Sequence, residues 1–289
     1  MRENKSKIAI LAYAFDWILK NVARVYILLL ILSLLYLARN DVDIQAVPLI
    51  TILSVLALKT FALFSLNWVN PPTSAFMLRS AHFFSAENKK TIQHAWVNYE
   101  KISPFMPIVV ILSEDGQFPN HSGFNWKTIL RALQINRSSS LLVGGSSISQ
   151  QTVKNLFLYP GKTLSRKIIE AYLTLIFEAV LSKKRILEIY LNIVQFSPDI
   201  FGVESASLYF FKKSAQNLTA EEACLLATVM PNPYIYNVYS PSPYMKEKQA
   251  IILSSLDQAI SQKSLEHFLS PSHFSCVQEQ WLTRGISTK

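Results

Sequence analysis

Apolar residues are concentrated at the N-terminal end of this chain. Residues 25–38 carry no charge, and residues 47–66 carry only one, that of Lys59. Because a helix needs about 20 apolar residues to cross a bilayer, the second run predicts a membrane span. The first run is shorter and is typical of an interfacial or partly inserted segment. After Trp68 the pattern becomes that of a globular domain of about 200 residues.

This pattern divides the chain into an anchor region at 1–69, a folded domain at 70–260 and a C-terminal tail at 261–289. Residues 1–24 contain five basic and two acidic residues, which favours a cytoplasmic N-terminus. One span then places the folded domain outside the cytoplasmic membrane, whereas two spans would place it inside. We expect one span and no cleavable signal peptide, because the apolar runs begin too late for one.

Within the folded domain, apolar residues recur mostly at helical spacing. Residues 164–194 predict a helical segment interrupted near Ser182, and Thr219 with Glu222 has the form of a capping box before a buried helix. Residues 108–111 are β-branched and alone predict a strand. Only seven glycines occur, and there is no two-residue hairpin signal. We therefore expect a mainly α fold.

The chain has a net charge of +9, and its basic residues are concentrated at 127–185. That range holds ten basic residues against two acidic ones, which predicts an anionic ligand or an anionic membrane surface. We expect no nucleic acid partner, because no nucleic-acid-binding signature is present. Cys224 and Cys276 make neither a disulfide framework nor a metal cluster. Cys224 is predicted to be a buried thiol on a helix.

A first candidate site lies where the apolar run at 108–112 ends in two carboxylates, Glu114 and Asp115. Burial disfavours the charged form of a carboxylate, and this is how such a group becomes a proton-transfer group near neutral pH. Phe118 and His121 follow in the next loop. The carboxylate pair is equally typical of a solvated surface, and His121 alone is more typical of a structural role.

A second candidate site is the glycine- and hydroxyl-rich segment 144–149, which leads into a predicted helix. The free N–H groups of a helix N-terminus favour an anion. Gln150 and Lys154 are four residues apart and share a helix face, which suits a phosphate or a sugar. On spacing alone, an ordinary helix N-terminus is the better interpretation.

A third candidate site places Arg166 four residues before Glu170, with Lys167 beside it. One interpretation is a surface ion pair, which would contribute little stability. The other is a carboxylate among cations that hold a pyrophosphate, with or without a divalent metal. The segment 185–192 is interpreted as a packed helix with a structural role.

The order of these segments resembles the peptidoglycan glycosyltransferase family. The resemblance covers roughly residues 66–258, and the absence of any Ser-x-x-Lys favours its monofunctional members. The matching motifs are Glu114-Asp-x-x-Phe-x-x-His-x-Gly123, Gly144-Gly-Ser-x-Ile-x-Gln-Gln-x-x-Lys-Asn155, Arg166-Lys-x-x-Glu170, Ile186-Leu-Glu-x-Tyr-Leu-Asn192 and Leu218-Thr-x-x-Glu-Ala-x-x-Leu-Ala-x-x-Met-Pro-Asn-Pro233.

The resemblance implies a lysozyme-like, mainly α glycosyltransferase domain preceded by an N-terminal membrane anchor. The implied reaction joins the C4 hydroxyl of one disaccharide of lipid II to C1 of a growing strand, with inversion and release of undecaprenyl pyrophosphate. Glu114 resembles the general base, and Glu170 resembles the group that steadies the pyrophosphate. The implied substrate-binding residues are Asp115, His121, Arg131, Ser146, Gln150, Gln151, Lys154, Lys162, Arg166 and Lys167.

The resemblance also implies the surroundings of the reaction. No cofactor is required, although a divalent cation, Mg²⁺ or Mn²⁺, at Glu170 is left open. The expected partners are lipid II, the growing glycan strand, the cytoplasmic membrane and other cell-wall synthesis and division proteins. The expected location is the cytoplasmic (inner) membrane, with the catalytic domain on the periplasmic or extracellular side.

Three departures from the family pattern stand out. Asn125 replaces an aspartate, and Lys162 replaces an arginine, which turns a bidentate phosphate contact into a point charge. Residues 197–199, Ser-Pro-Asp, replace a glycine-rich turn. The alternatives are a lysozyme-like lytic enzyme, which would not need a cationic pyrophosphate site, and a non-catalytic membrane scaffold.

Overall fold

The computed structural model describes residues 47–86, 91–138, 144–161 and 163–262. These residues are mostly helical, which confirms the expected mainly α class. Several positions named in the sequence analysis lie outside the described residues: the apolar segment 25–38, Lys162, Cys276 and the greater part of the tail. The elements of the described ranges are α1 (Val47–Ser65), α2 (Ala75–Ala86), β1 (Gln93–His94), α3 (Phe105–Glu114), α4 (Trp126–Ser138), α5 (Ile148–Phe157), α6 (Leu164–Val180), α7 (Lys183–Ile193), β2 (Gln195–Ser197), β3 (Ile200–Phe201), α8 (Val203–Phe211), α9 (Ala220–Val229) and α10 (Pro243–Ser261).

The chain separates into two compact units. The described part of the first unit is residues 47–79 and 153–182 without 162, and in it α1 packs against α6. The described part of the second unit is residues 80–86, 91–138, 144–152 and 183–262. In it α3 packs against α9 and α10, which also pack against each other.

Helix α1 matches the predicted membrane span. Its 18-residue window Pro48–Ser65 has a mean hydropathy of 1.8, so it is long and apolar enough to cross a membrane. One side of the helix is exposed, including Leu53 and Phe61, whereas Thr51 and Leu63 are buried. The helix therefore has an apolar outer side and a packed inner side.

The strand prediction for residues 108–111 is wrong, because these residues lie in α3. All residues from Phe105 to Ile111 are buried in the core of the second unit. A helix that is apolar on every side is stable when it is surrounded by protein. Packing against α9 and α10 therefore overrides the β preference of the branched side chains.

The other predicted helix boundaries are confirmed. Helix α6 ends at Val180 and α7 begins at Lys183, on either side of the predicted break. The capping box of α9 is present, with Thr219 and Glu222 bonding reciprocally to each other's backbone N–H. Cys224 is fully buried in α9, as predicted.

The small sheet contains a hairpin that the sequence analysis missed. Strand β3 lies between β1, which is parallel to it, and β2, which is antiparallel. Only Pro198 and Asp199 connect β2 to β3. Side chains support this turn in place of the usual glycine or asparagine: Ser197 Oγ donates to Asp199 Oδ1 at 3.1 Å, and Gln195 Nε2 donates to the Pro198 carbonyl at 3.1 Å.

Candidate active site

Glu114 is the last residue of α3, directly after the buried apolar run. Its side chain is 13% exposed, so it is largely enclosed but open to a ligand. Gln151 Nε2 donates to Glu114 Oε2 at 3.1 Å, and Lys248 Nζ lies 4.0 Å from Oε1. A carboxylate in such a place can accept a proton from a hydroxyl group that reaches it.

Tyr190 determines which way the Gln151 amide faces. The Tyr190 hydroxyl donates to Gln151 Oε1 at 3.2 Å, which leaves the amide nitrogen directed at Glu114. Tyr190 is fully buried, and its burial and the nearby charges of Glu114 and Asp115 raise the pKa of its hydroxyl well above the ordinary value of 10. The hydroxyl therefore remains a donor throughout the neutral range.

Asp115 bonds to different partners from those of Glu114. Its carboxylate accepts from His121 Nε2 at 2.9 Å and from the backbone N–H of Ile148 at 3.1 Å. Ile148 is the first residue of α5, where N–H groups lack helical partners and a carboxylate is favourable. Asp115 therefore fixes the start of the helix that carries Gln151.

The loop between α3 and α4 is held by Lys183. Its ammonium donates to the His121 carbonyl at 2.5 Å and lies 4.4 Å from the centre of the Phe118 ring. His121 thus contributes both its ring and its backbone to the loop conformation. The structure places His121 in a positioning role, and its predicted substrate contact stays a prediction.

The start of α5 is closed by a reciprocal cap. Ser147 N–H donates to Gln150 Oε1 at 3.1 Å, and Gln150 N–H donates to Ser147 Oγ at 3.2 Å. The Gln150 side chain is buried. The neighbouring Ser146 carbonyl lies 3.5 Å from Gln151 Nε2. The Gln150 side chain is therefore engaged in the helix cap, which the interpretation as an ordinary helix N-terminus anticipated.

Glu170 lies in the first unit, on α6, and is almost completely buried. Arg166 Nη1 donates to Glu170 Oε2 at 2.6 Å, and Lys167 Nζ donates to Oε1. The side chains of Glu170 and Arg166 are 2% and 11% exposed, so the surface-pair interpretation is wrong for this pair. A buried carboxylate with two cations leaves the group with net positive charge, which suits an anion.

Lys154 adds to the positive charge of the first unit. It lies near the end of α5, with its ammonium 5.6 Å from the centre of the Phe76 ring. Lys154, Arg166, Lys167 and Glu170 are referred to below as the cationic group. Three of these side chains carry a formal positive charge, and Glu170 carries a formal negative charge.

The two oxygens of Glu170 do not fit a divalent cation in this arrangement. Each is already paired with the cation of Arg166 or Lys167, and these positive charges would repel a metal ion. Among the described residues, no three His, Cys, Asp or Glu side chains gather as metal ligands. Dependence on Mg²⁺ or Mn²⁺ stays an open prediction.

Comparison with known proteins identifies the family. The family model described as transglycosylase matches residues 81–257, more than half of the chain. The chain belongs to the transglycosylase family. It is 46% identical over 196 residues to a biosynthetic peptidoglycan transglycosylase of Mannheimia succiniciproducens, covering 67% of this chain and 80% of that protein.

Other relatives agree. Proteins of the same name from Pasteurella multocida and Shigella boydii are 48% and 46% identical over 197 and 213 residues. These matches cover 68% and 73% of this chain, and 79% and 87% of the relatives. The resemblance inferred from the motifs is therefore confirmed: this transglycosylase is a peptidoglycan glycosyltransferase of the monofunctional type.

Three residues of the transglycosylase that the sequence analysis singled out have not yet been placed: Arg131, Lys162 and Asn125. Arg131 is exposed on α4, and Lys162 lies outside the described residues. Asn125 accepts from the Thr128 N–H through Oδ1 at 3.1 Å and so caps α4. Asparagine and aspartate are about equal as N-caps, so this departure from the family pattern preserves the cap.

Two residues of the transglycosylase site were missed from the sequence. Lys248 lies on α10, more than 130 residues after Glu114, and no local pattern marks it. Tyr190 lies in the segment 185–192, for which the sequence predicted only a structural role. That prediction holds for Asn192, whose Oδ1 accepts from the Val97 N–H and whose Nδ2 donates to the Val97 carbonyl. A buried tyrosine needs a hydrogen-bond partner, and that need was the available signal.

Proposed function

We propose that this transglycosylase polymerises lipid II with Glu114 as the general base and the cationic group as the support for the leaving pyrophosphate. The acceptor C4 hydroxyl gives its proton to Glu114 while its oxygen bonds to C1 of the donor. The C1–oxygen bond to pyrophosphate breaks, and the pair of electrons leaves with the phosphate. A single displacement of this kind inverts the configuration at C1.

The observation that carries the proposal is the arrangement around Glu114. A fixed amide donor holds one carboxylate oxygen, and the remaining exposure leaves room for an acceptor sugar. The amide itself is fixed by Tyr190, so the carboxylate is oriented before a substrate arrives. Preorganised groups of this kind reduce the reorganisation needed in the transition state.

The leaving side is supported by the charge of the cationic group. When the C1–oxygen bond breaks, negative charge grows on the pyrophosphate. Arg166 and Lys167 are held by Glu170, which limits their movement. Cations fixed near growing negative charge stabilise the transition state more than the ground state. Nothing in this scheme requires a covalent sugar–enzyme intermediate.

The test is polymerisation of lipid II by the purified full-length chain, with strand length read by gel electrophoresis. We expect long glycan strands, and loss of nearly all activity in Glu114→Gln. The matched control is Glu100→Gln, because the Glu100 side chain is 64% exposed and pairs with an exposed Lys184, and exposed ion pairs contribute little stability. Release of soluble fragments from sacculi, without strand growth, would instead indicate a lytic enzyme.

The same assay tests the metal question. Parallel reactions contain EDTA, Mg²⁺ or Mn²⁺ at equal ionic strength. The pairing of both Glu170 oxygens supports activity that persists in EDTA. Complete loss in EDTA, restored by one of the metals, would show that the reaction needs a metal ion and would contradict this expectation.

We further propose that α1 spans the cytoplasmic membrane, with the folded domain on the outer side. The length and hydropathy of α1 support a span, and the basic N-terminal residues support this orientation. Protease added to spheroplasts should digest the domain beyond Trp68. Protection of that domain in intact spheroplasts, with digestion after lysis, would contradict the orientation and the access to lipid II.

A further inference from the structure

Helix α1 carries one charged residue within its apolar length, and that residue has a defined partner. Lys59 is partly buried, and its ammonium donates to the backbone carbonyl of Phe157 at 3.0 Å. Ionisable residues inside membrane segments are rare and usually face protein rather than lipid. The position of Lys59 agrees with this, because the exposed side of α1 is apolar.

Phe157 is the last residue of α5. The final carbonyl groups of a helix have no partner within the helix and carry partial negative charge. An ammonium at this end satisfies a carbonyl and interacts favourably with the helix dipole. Lys59 therefore caps α5 from a different helix, 98 residues earlier in the chain.

A second polar contact joins α1 to α6. Thr60 Oγ1 and the Tyr172 hydroxyl lie 3.3 Å apart. Adjacent residues of α1 thus contact the two helices that carry the cationic group, since Lys154 lies on α5 and Arg166 on α6. All these residues belong to the first unit.

We propose that Lys59 is a positioning residue for the transglycosylase reaction, fastening the membrane-spanning helix to the end of α5 and so fixing the cationic group. Residues 158–161 directly follow the carbonyl that Lys59 binds, and Thr163, shortly after them in the sequence, caps α6. Loss of the Lys59 contact would free the end of α5 and the start of that segment. Small displacements of groups that stabilise a transition state reduce rate strongly. On this view Lys59 gives α1 a positioning role in addition to that of an anchor.

The proposal rests on the proposed lipid II polymerisation, and full-length variants in liposomes test it. Lys59→Met removes the donor, retains a long side chain and makes α1 more apolar, so insertion into the membrane is preserved. Lys59→Arg retains a cationic donor. Leu53→Met is the matched control, because Leu53 lies on the exposed side of the same helix.

We expect Lys59→Met to lower kcat about tenfold, with KM for lipid II changed less than about threefold. The reason is that the charge supported by the cationic group grows in the transition state. Lys59→Arg should recover most of the rate, and Leu53→Met should match the unmodified chain. Carbonate extraction should leave all the proteins in the membrane.

The outcomes separate the two proposals. If the unmodified chain makes no polymer, the proposed function fails. If the unmodified chain polymerises lipid II and Lys59→Met has the same kcat, the positioning role of Lys59 is overturned. Equal loss of rate in Lys59→Met and Lys59→Arg would also overturn it, because a cation at the end of α5 would then have no effect.

Discussion

Tyr190→Phe removes one buried hydroxyl and leaves the aromatic ring in place. The hydroxyl does not bond to Glu114 directly; it holds the Oε1 of Gln151, whose Nε2 donates to the carboxylate. Without it, the amide can turn or shift, and Glu114 loses its fixed donor for part of the time. We therefore expect slower polymerisation by a protein that remains folded.

The magnitude follows from the hydrogen bond that is lost. A net contribution of about 1 kcal/mol is typical, and an unpaired buried acceptor costs about 1–3 kcal/mol. If about 1–2 kcal/mol of this appears in the barrier, kcat/KM for lipid II falls roughly 5- to 30-fold. A comparable part should appear as a lower free energy of unfolding.

The assay measures initial rates of polymerisation at several lipid II concentrations, together with thermal unfolding. Tyr209→Phe is the control, because it deletes the hydroxyl of a partly exposed tyrosine. Gln151→Leu should lower the rate further, and Tyr190→Phe should add little in that background. Fully additive losses, or an unchanged kcat/KM in Tyr190→Phe, would refute the reasoning that Tyr190 acts through Gln151.

Three further predictions concern stability. Gly202→Ala should lower the free energy of unfolding by about 1–3 kcal/mol in denaturant titrations. The reason is that Gly202 has φ +81° and that a Cβ there would lie 2.6 Å from a carbonyl oxygen of α7. Gly116→Ala is the control, because a Cβ at Gly116 meets no atom within 4 Å and the change should be nearly neutral. Asn125→Asp should change the unfolding temperature little, since both residues cap helices about equally; a loss of several degrees would contradict the capping role. Burial raises the pKa of Tyr99 and of Tyr190 above the value of 10 expected in the unfolded chain. The contribution of these two tyrosines to stability should therefore be constant below about pH 10 and decrease above it, and unchanged unfolding between pH 9 and 11.5 would contradict this.

The sequence was sufficient for features that depend on neighbouring residues. Local hydrogen-bonding and apolar spacing predict the capping box at Thr219, the break near Ser182 and the helix entered from the segment 144–149. The family itself followed from motif order. Each of these signals lies within a few residues of the feature that it predicts.

Features that depend on distant residues were not predictable in the same way. Residues 108–111 are helical because α9 and α10 pack against them, and those helices begin more than 100 residues later in the chain. Lys248 approaches Glu114 only because α10 packs on α3. The hairpin at 198–199 depends on side-chain hydrogen bonds that substitute for turn glycines. In each case the tertiary contact decided the outcome.

The contacts of α1 also bear on the order of biosynthesis. The partners of Lys59 and Thr60 lie 98 and 112 residues further along the chain. At about 5–20 residues per second, translation takes roughly 5–20 s to supply them. During that interval the helix has neither partner, so the first unit forms late and by closing long loops, which is intrinsically slow. A ribosome paused before residue 157 would therefore carry a nascent chain in which α1 still lacks both polar contacts.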